Sequence, residues 1–234
     1  MAPASVSTVL DLGVATRPHQ EALVDTRHRL DYKTLNELVC AIATGFANIG
    51  LERGQRVAMS LPNSVHAVVS YLACMRAGFV FVGVHPGLAV PEKQLLLQRA
   101  RPDLVLATGA IIDTLRGSTG EHVALDLNDP TMAELARPPF RQSSVPDPHA
   151  AAAIAFTSGT TGEPKGVVHD QHHMILPASV ILHHRLGGRG ERIGVHLPLT
   201  TLNALVVAPV LAFLGGGTCV CIDGHEASAL AETI

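Results

Sequence analysis

Phe156-Thr-Ser-Gly-Thr-Thr-Gly-Glu-Pro-Lys-Gly-Val167 follows an apolar run, Ala151 to Phe156, and leads into a second short one, so it joins two strands through a turn crowded with donors. Gly159 and Gly162 can take positive φ, which lets consecutive backbone N–H groups point into one concavity. Thr157, Ser158, Thr160 and Thr161 add hydroxyls, and Lys165 adds a positive charge. Charge-assisted hydrogen bonds from such a nest suit a polyphosphate, whose oxygens require many donors at once. The order Lys165-Gly-Val167 departs from the Gly-Lys-Ser/Thr of the common NTPase loop, and a kinase-type glycine loop fails as well. A plain Gly/Thr turn would account for any three of these residues, but not for the whole dodecamer.

Around this turn, apolar strands alternate with helical periodicity. Thr34-Leu-Asn-Glu37 has the spacing of a capping box, and Leu35, Leu38, Val39, Ile42 and Phe46 continue a helix that Gly50 stops. Strands are expected at Val57 to Leu61, Phe79 to Val84, Leu104 to Ala107 and His122 to Leu125, with Asn63 capping a helix that ends at Gly78 and Pro91 opening another to Ala100. After the turn come a helix from His172 to His184, a strand from Arg192 to Leu197, a buried helix from Thr200 to Leu214 and a strand from Thr218 to Ile222. A final helix starts near Glu226 and stops in mid-pattern at Ile234, as a truncated unit would. The alternation predicts an α/β fold of layered sheets flanked by helices. The Pro-rich stretch 128–150 and residues 185–195 are the two expected places for a subdomain boundary.

Composition narrows the classes of function. A 47% hydrophobic content over 234 residues is enough for a substantial core. Net charge is −3 with no block of Lys or Arg, which argues against gripping a nucleic-acid backbone. Aromatic residues are 3% with no Trp, so base-stacking and sugar-stacking surfaces are not expected. No uninterrupted apolar stretch reaches spanning length and the N-terminus lacks a basic start before an apolar core, so a cytoplasmic location is expected. Cys40, Cys74, Cys219 and Cys221 lie in apolar segments and Cys219-Val-Cys221 has neither zinc-knuckle nor redox spacing, which predicts buried reduced thiols. Of the 13 histidines, His169, His172, His173, His183 and His184 cluster in one segment, but no Asp or Glu is spaced to close a metal shell, and no metal site is assigned. Asp170 is expected to cap the following helix.

Thr157 to Val167 resembles the signature loop of the adenylate-forming superfamily, which includes acyl-CoA synthetases, luciferases and nonribosomal-peptide adenylation domains. Leu30-Asp-Tyr-Lys-Thr-Leu-Asn-Glu-Leu38, Gly54-Gln-Arg-Val57, Leu61-Pro-Asn-Ser64 and Ala77-Gly78 are similar to the same family, so the resemblance spans nearly the whole chain. It implies the N-terminal part of an acyl-CoA synthetase-like fold without the C-terminal domain. It also implies ATP, Mg2+ and CoA as reactants or cofactors, and a small-molecule carboxylic acid as substrate. Thr157, Ser158, Gly159, Thr160, Thr161, Gly162 and Lys165 would then form the phosphate site.

Pro198-Leu-Thr-Thr-Leu-Asn-Ala204 resembles the family's Pro-Leu-x-His segment near the acyl site, with Thr201 in place of the His. Thr201 and Asn203 are therefore candidate substrate contacts, weighed against helix capping by Thr200, and Leu202, Ala204 and Val207 hint at an apolar wall. Gln171 stands where the family often has a His, and Gly215 to Gly217 are expected to be structural. Missing are a Tyr-Gly-x-Thr-Glu motif for magnesium, a later ribose-binding Asp and the catalytic Lys. The leading expectation is an acid–CoA ligase whose activity belongs to a complete polypeptide. The alternatives are a silent phosphate-binding or assembly module, which would self-associate or dock a C-terminal partner chain, and part of an amino-acid adenylation domain loading a carrier protein.

Overall fold

The computed structural model describes residues 5–115, 123–126, 145–157, 164–184 and 190–222. Two sheets organise it. The first has the order β2-β1-β10-β9, from β1 (Glu21–Val24), β2 (Arg29–Asp31), β9 (Arg192–Val195) and β10 (Thr218–Cys221). β1 runs parallel to β10 with Leu23 opposite Cys219, β10 runs parallel to β9, and β2 folds back antiparallel on β1. The second has the order β6-β5-β3-β4-β7-β8, from β3 (Arg56–Ser60), β4 (Val80–Gly83), β5 (Leu104–Ala107), β6 (Val123–Asp126), β7 (Ala151–Thr157) and β8 (Lys165–Asp170). All its neighbours are parallel except β7 and β8.

The second sheet is wound in both directions. From β3 the chain crosses through α3 (Val65–Ala77) to β4 on one side, then through α4 (Val90–Ala100) to β5 on the other. The two helices cover opposite faces: α3 packs with Met59 and Phe81 in the core between the sheets, whereas Leu97 and Ala100 of α4 pack with Ala58, Val82 and Val105. A strand order that reverses in this way leaves a crevice beyond the carboxyl ends of β3 and β4. α5 (Gly109–Leu115) then leads to β6.

The core explains why α3 is apolar nearly all round: every residue except His66 is buried. α2 (Tyr32–Asn48) instead buries one stripe, including Leu35, Val39, Ala43 and Phe46. On the N-terminal side, α1 (Asp11–Thr16) and a 3-10 turn (Val6–Thr8) lead into β1. The Tyr32 hydroxyl, fully buried, donates to Gly217 O at 2.8 Å, while Arg17 and Gln20 both donate to Gly216 O, so the turn after the expected glycine run is held by the start of the chain. Cys74, Cys219 and Cys221 are buried free thiols, and Cys40 is half-buried.

Three expected caps move. Asp31, not Thr34, caps α2, because its extended backbone lets the carboxylate accept from Thr34 N at 2.7 Å. Ser64 caps α3 by accepting from Ala67 N, leaving Asn63 free to turn inward. Thr201, not Thr200, is the N-cap of the helix after β9. That helix is also not continuous: α7 (Leu202–Leu205) passes through a π-helical turn (Val206–Val210) into α8 (Leu211–Gly215). Pro209 has no N–H to continue the α-ladder, and the wider turn accommodates it. The helix expected from His172 begins only at Leu176 (α6, Leu176–His184), after a turn in which Asp170 accepts from His173 N at 2.6 Å. The expected final helix and most of the Pro-rich stretch lie outside the described residues. No described helix is long and apolar enough to cross a membrane.

Asp25 ties the β1–β2 turn to α3. Its carboxylate accepts from the amides of Arg27, His28 and Val65 at 2.8, 2.7 and 2.9 Å and from the His28 ring at 3.0 Å. Burial alone would raise its pKa, but these bonds outweigh burial and hold it below the ordinary aspartate value. Asp25→Asn should therefore cost about 1–2 kcal/mol of stability at neutral pH. Because the carboxyl titrates lower in the folded than in the unfolded chain, that advantage is complete above the ordinary aspartate value and fades as pH falls through the folded value. Urea melts of both proteins at pH 7 and at pH 3 check this, and an unchanged gap would leave the ionised form of Asp25 no part in the turn.

Candidate functional site: the phosphate hairpin and the carboxyl edge

β7 and β8 form an antiparallel hairpin whose last pair is Thr157 opposite Lys165. The phosphate-site candidates between them, Ser158, Gly159, Thr160, Thr161 and Gly162, lie outside the described residues. The structure thus fixes the two residues that bracket the loop. Thr157 and Lys165 are both exposed, and the Thr157 hydroxyl makes only a long contact, 3.5 Å, to Lys165 O. A hydroxyl so weakly engaged remains able to donate to another acceptor.

The hairpin's geometry also explains the glycine after the lysine. Gly166 pairs with Phe156, and a Cβ there would meet Ile154 Cγ2 at 3.1 Å and the Phe156 ring at 3.4 Å. The position is therefore bare so that a neighbouring ring can lie over the strand. β8 is the last strand of its sheet among the described residues, and Val167 and Val168 are 45% and 61% exposed.

β7 is parallel to β4, with Phe81 opposite Ala153, so Thr157 emerges at the same carboxyl edge of the sheet as the ends of β3 and β4. The Pro198–Asn203 segment reaches that edge from the other sheet. Thr200 O stands so close over Gly83, the last residue of β4, that a Cβ there would lie 1.9 Å away. Thr201 is exposed and its hydroxyl donates to Pro198 O at 2.8 Å, and Asn203 is exposed on the first turn of α7. Ala204 is buried, and Leu202 and Val207 are half-buried. The phosphate hairpin and the expected acyl segment thus share one edge of the second sheet.

Two buried polar side chains, Asn63 at this edge and Gln171 at the opposite one, had no sequence-level assignment to their partners. Asn63 is 9% exposed and bonds to the ends of both strands of the first sheet that face it. Gln171 is fully buried, donating to Met75 O at 3.1 Å and accepting from the Ser5 hydroxyl at 3.1 Å, so it joins the N-terminal turn to the end of α3. For Asn63 the only sequence signal was its place in Leu61-Pro-Asn-Ser64. No group of three or more His, Cys, Asp or Glu among the described residues is arranged to hold a metal ion. The resemblance implies magnesium, and the described residues offer no cluster of ligands to hold it by themselves.

The model of the AMP-binding enzyme family matches residues 10–234. The chain belongs to that family. Malformin synthetase mlfA of Aspergillus brasiliensis is 30% identical over 94% of this chain and 4% of its own length. L-proline--[L-prolyl-carrier protein] ligase of Pseudomonas fluorescens is 30% identical over 89% of this chain and 43% of its own. Among solved structures, the anthranilate CoA ligase AuaEII in complex with anthranoyl-AMP superposes with a TM-score of 0.85 at 18% identity, covering 94% of this chain and 45% of that one. The chain spans less than half the length of each of these proteins. Its fold is that of the N-terminal part of the CoA ligase.

Since Thr157 and Lys165 are exposed, neither should carry the fold. Lys165→Ala and Thr157→Ala should each change unfolding free energy by less than about 0.5 kcal/mol. Chemical denaturation measures it, and a loss well beyond that value would make the pair a structural closure of the hairpin.

Proposed function

We propose that this chain supplies the phosphate-handling half of a ligase that activates a carboxylic acid with ATP and passes the acyl group to the thiol of CoA. In the first step a carboxylate oxygen attacks the α-phosphorus of ATP and pyrophosphate leaves. In the second a thiol sulfur attacks the acyl carbon and AMP leaves. The free carboxylate is a poor acyl donor, and the adenylate converts its oxygen into a good leaving group. The observation that carries the reading is the hairpin that brings Thr157 and Lys165 together, within a chain whose family match covers residues 10–234.

The roles of the residues follow from their chemistry. The Lys165 ammonium offsets charge on the β- and γ-phosphates as pyrophosphate departs, and the Thr157 hydroxyl donates to a phosphate oxygen. Ser158, Thr160 and Thr161 are proposed to add hydroxyls, and Gly159 and Gly162 backbone donors. Thr201 and Asn203, on the segment at the same edge, are proposed to face the acid.

A second reading has its own support. The relatives at 30% identity include a malformin synthetase and a carrier-protein ligase, so the acceptor thiol could belong to a carrier protein and the acid could be an amino acid. The two readings share the first step and separate at the second.

The test uses the polypeptide that carries this sequence at its full natural length. Acid-dependent exchange of labelled pyrophosphate into ATP should appear with one class among a panel of fatty, aromatic and amino acids. Lys165→Ala should lower kcat/KM for ATP by about 10- to 100-fold. No exchange with any acid would reject the proposal. Release of AMP dependent on CoA supports the first reading, and release dependent on a phosphopantetheinyl carrier protein supports the second.

A further inference from the structure

Asn63 lies in the turn between β3 and α3, at the crevice left by the reversal of strand order. Its Nδ2 donates to Leu197 O at 2.9 Å and, over longer distances, to Ile222 O at 3.3 Å and Val195 O at 3.4 Å. Its Oδ1 accepts from Leu199 N at 2.9 Å. An amide offers two hydrogens to these three carbonyls, so the short bond to Leu197 leads and the other two share what remains. Val195 ends β9 and Ile222 directly follows β10, so one side chain of the second sheet grips the carboxyl ends of two strands of the first.

The gripped segment is the one at issue. Leu197 and Leu199 flank Pro198, the residue whose carbonyl receives the Thr201 hydroxyl. From the other side, Gly83 presents bare backbone to Thr200 O. The Pro198–Asn203 segment is therefore held between an amide that supplies both donor and acceptor and a strand end that leaves no room for a side chain. Only a carboxamide can match this set. Serine is too short for four partners, and a carboxylate would face three carbonyl oxygens without a hydrogen to offer.

We infer that Asn63 is a positioning residue: it sets the Pro198–Asn203 segment at the carboxyl edge and thereby fixes the wall that meets the carboxylic acid, without itself touching the substrate. The inference rests on the proposed acid-activating function for what the wall does, but not for how it is held. Asn63 acts on the acid side of the site only, because the phosphate hairpin is fixed through β4 and β7 rather than through the first sheet.

Asn63→Asp keeps the shape and the acceptor but loses both donors, and Asn63→Ala removes all four bonds. In the full-length protein, both should raise KM for the acid by about ten- to a hundredfold and leave KM for ATP within about twofold, since a small misplacement of a positioning element costs that much. Hydrogen exchange followed by mass spectrometry should show faster exchange of the backbone amides of residues 196–203, with β3 and β4 unchanged. Equal shifts in both KM values, or no shift in a folded variant, would overturn the inference. So would an isosteric variant that fails to fold, since Asn63 would then be a requirement of the fold as a whole. If the wild-type protein exchanges pyrophosphate with no acid, the functional reading fails on its own. The exchange pattern of residues 196–203 still decides whether Asn63 holds the segment, and unchanged protection there would overturn that part.

Discussion

The pairing of β1 with β10 is the contact on which the architecture depends. Leu23 lies opposite Cys219, so a strand near the start of the chain is built into a sheet with strands that come after the whole second sheet has been laid down. Closing so long a loop is entropically costly and is recovered only when the interior between the sheets is filled. α3 helps fill it: its residues belong to the core cluster that also holds Leu23 and Cys219 of one sheet and Met59 and Phe81 of the other, and Tyr71 stacks edge-on against Phe81 with ring centroids 5.4 Å apart. The bonds from Tyr32, Arg17 and Gln20 to Gly216 and Gly217 reinforce the same closure from the polar side.

This dependence separates what was legible in the sequence from what was not. Strands such as Leu104–Ala107 and the helix opening at Pro91 announce themselves by local apolar runs and local punctuation, and the structure has them within a residue or so. β1 is a four-residue strand with one local partner, β2, and one nearly the full length of the chain away, and its apolar run is too short to mark it. The caps failed for a related reason. Thr34 and Asn63 are residue types that cap helices in general, but Asp31 and Ser64 had the extended backbone that aims an oxygen at the helix N-terminus, and Asn63 had long-range partners instead. The loop from Thr157 to Lys165 stands as a chemical expectation drawn from its donors, and between its two ends it lies outside the described residues. Its place on the same edge as Pro198–Asn203 was not legible, since that follows from the order of six strands.

The crevice beyond β3 and β4 therefore has two walls. One hangs from β7 and carries the Thr157 hydroxyl and the Lys165 cation, and the other hangs from the first sheet and is gripped by Asn63. The proposed chemistry, which transfers AMP from ATP to an acid, depends on the two walls being held in register.

Among the described residues β8 is the edge strand of its sheet, which adds a consequence for solubility. A strand at a sheet margin with Val167 and Val168 uncovered is a template for pairing with another chain, and proteins blunt such margins with charge. Here Lys165 opens the strand and Asp170 closes it, so charged gatekeepers bracket the sticky valines. The lysine proposed to attend the phosphates would then serve twice, and an uncharged residue in its place would leave one end of the strand without a gatekeeper.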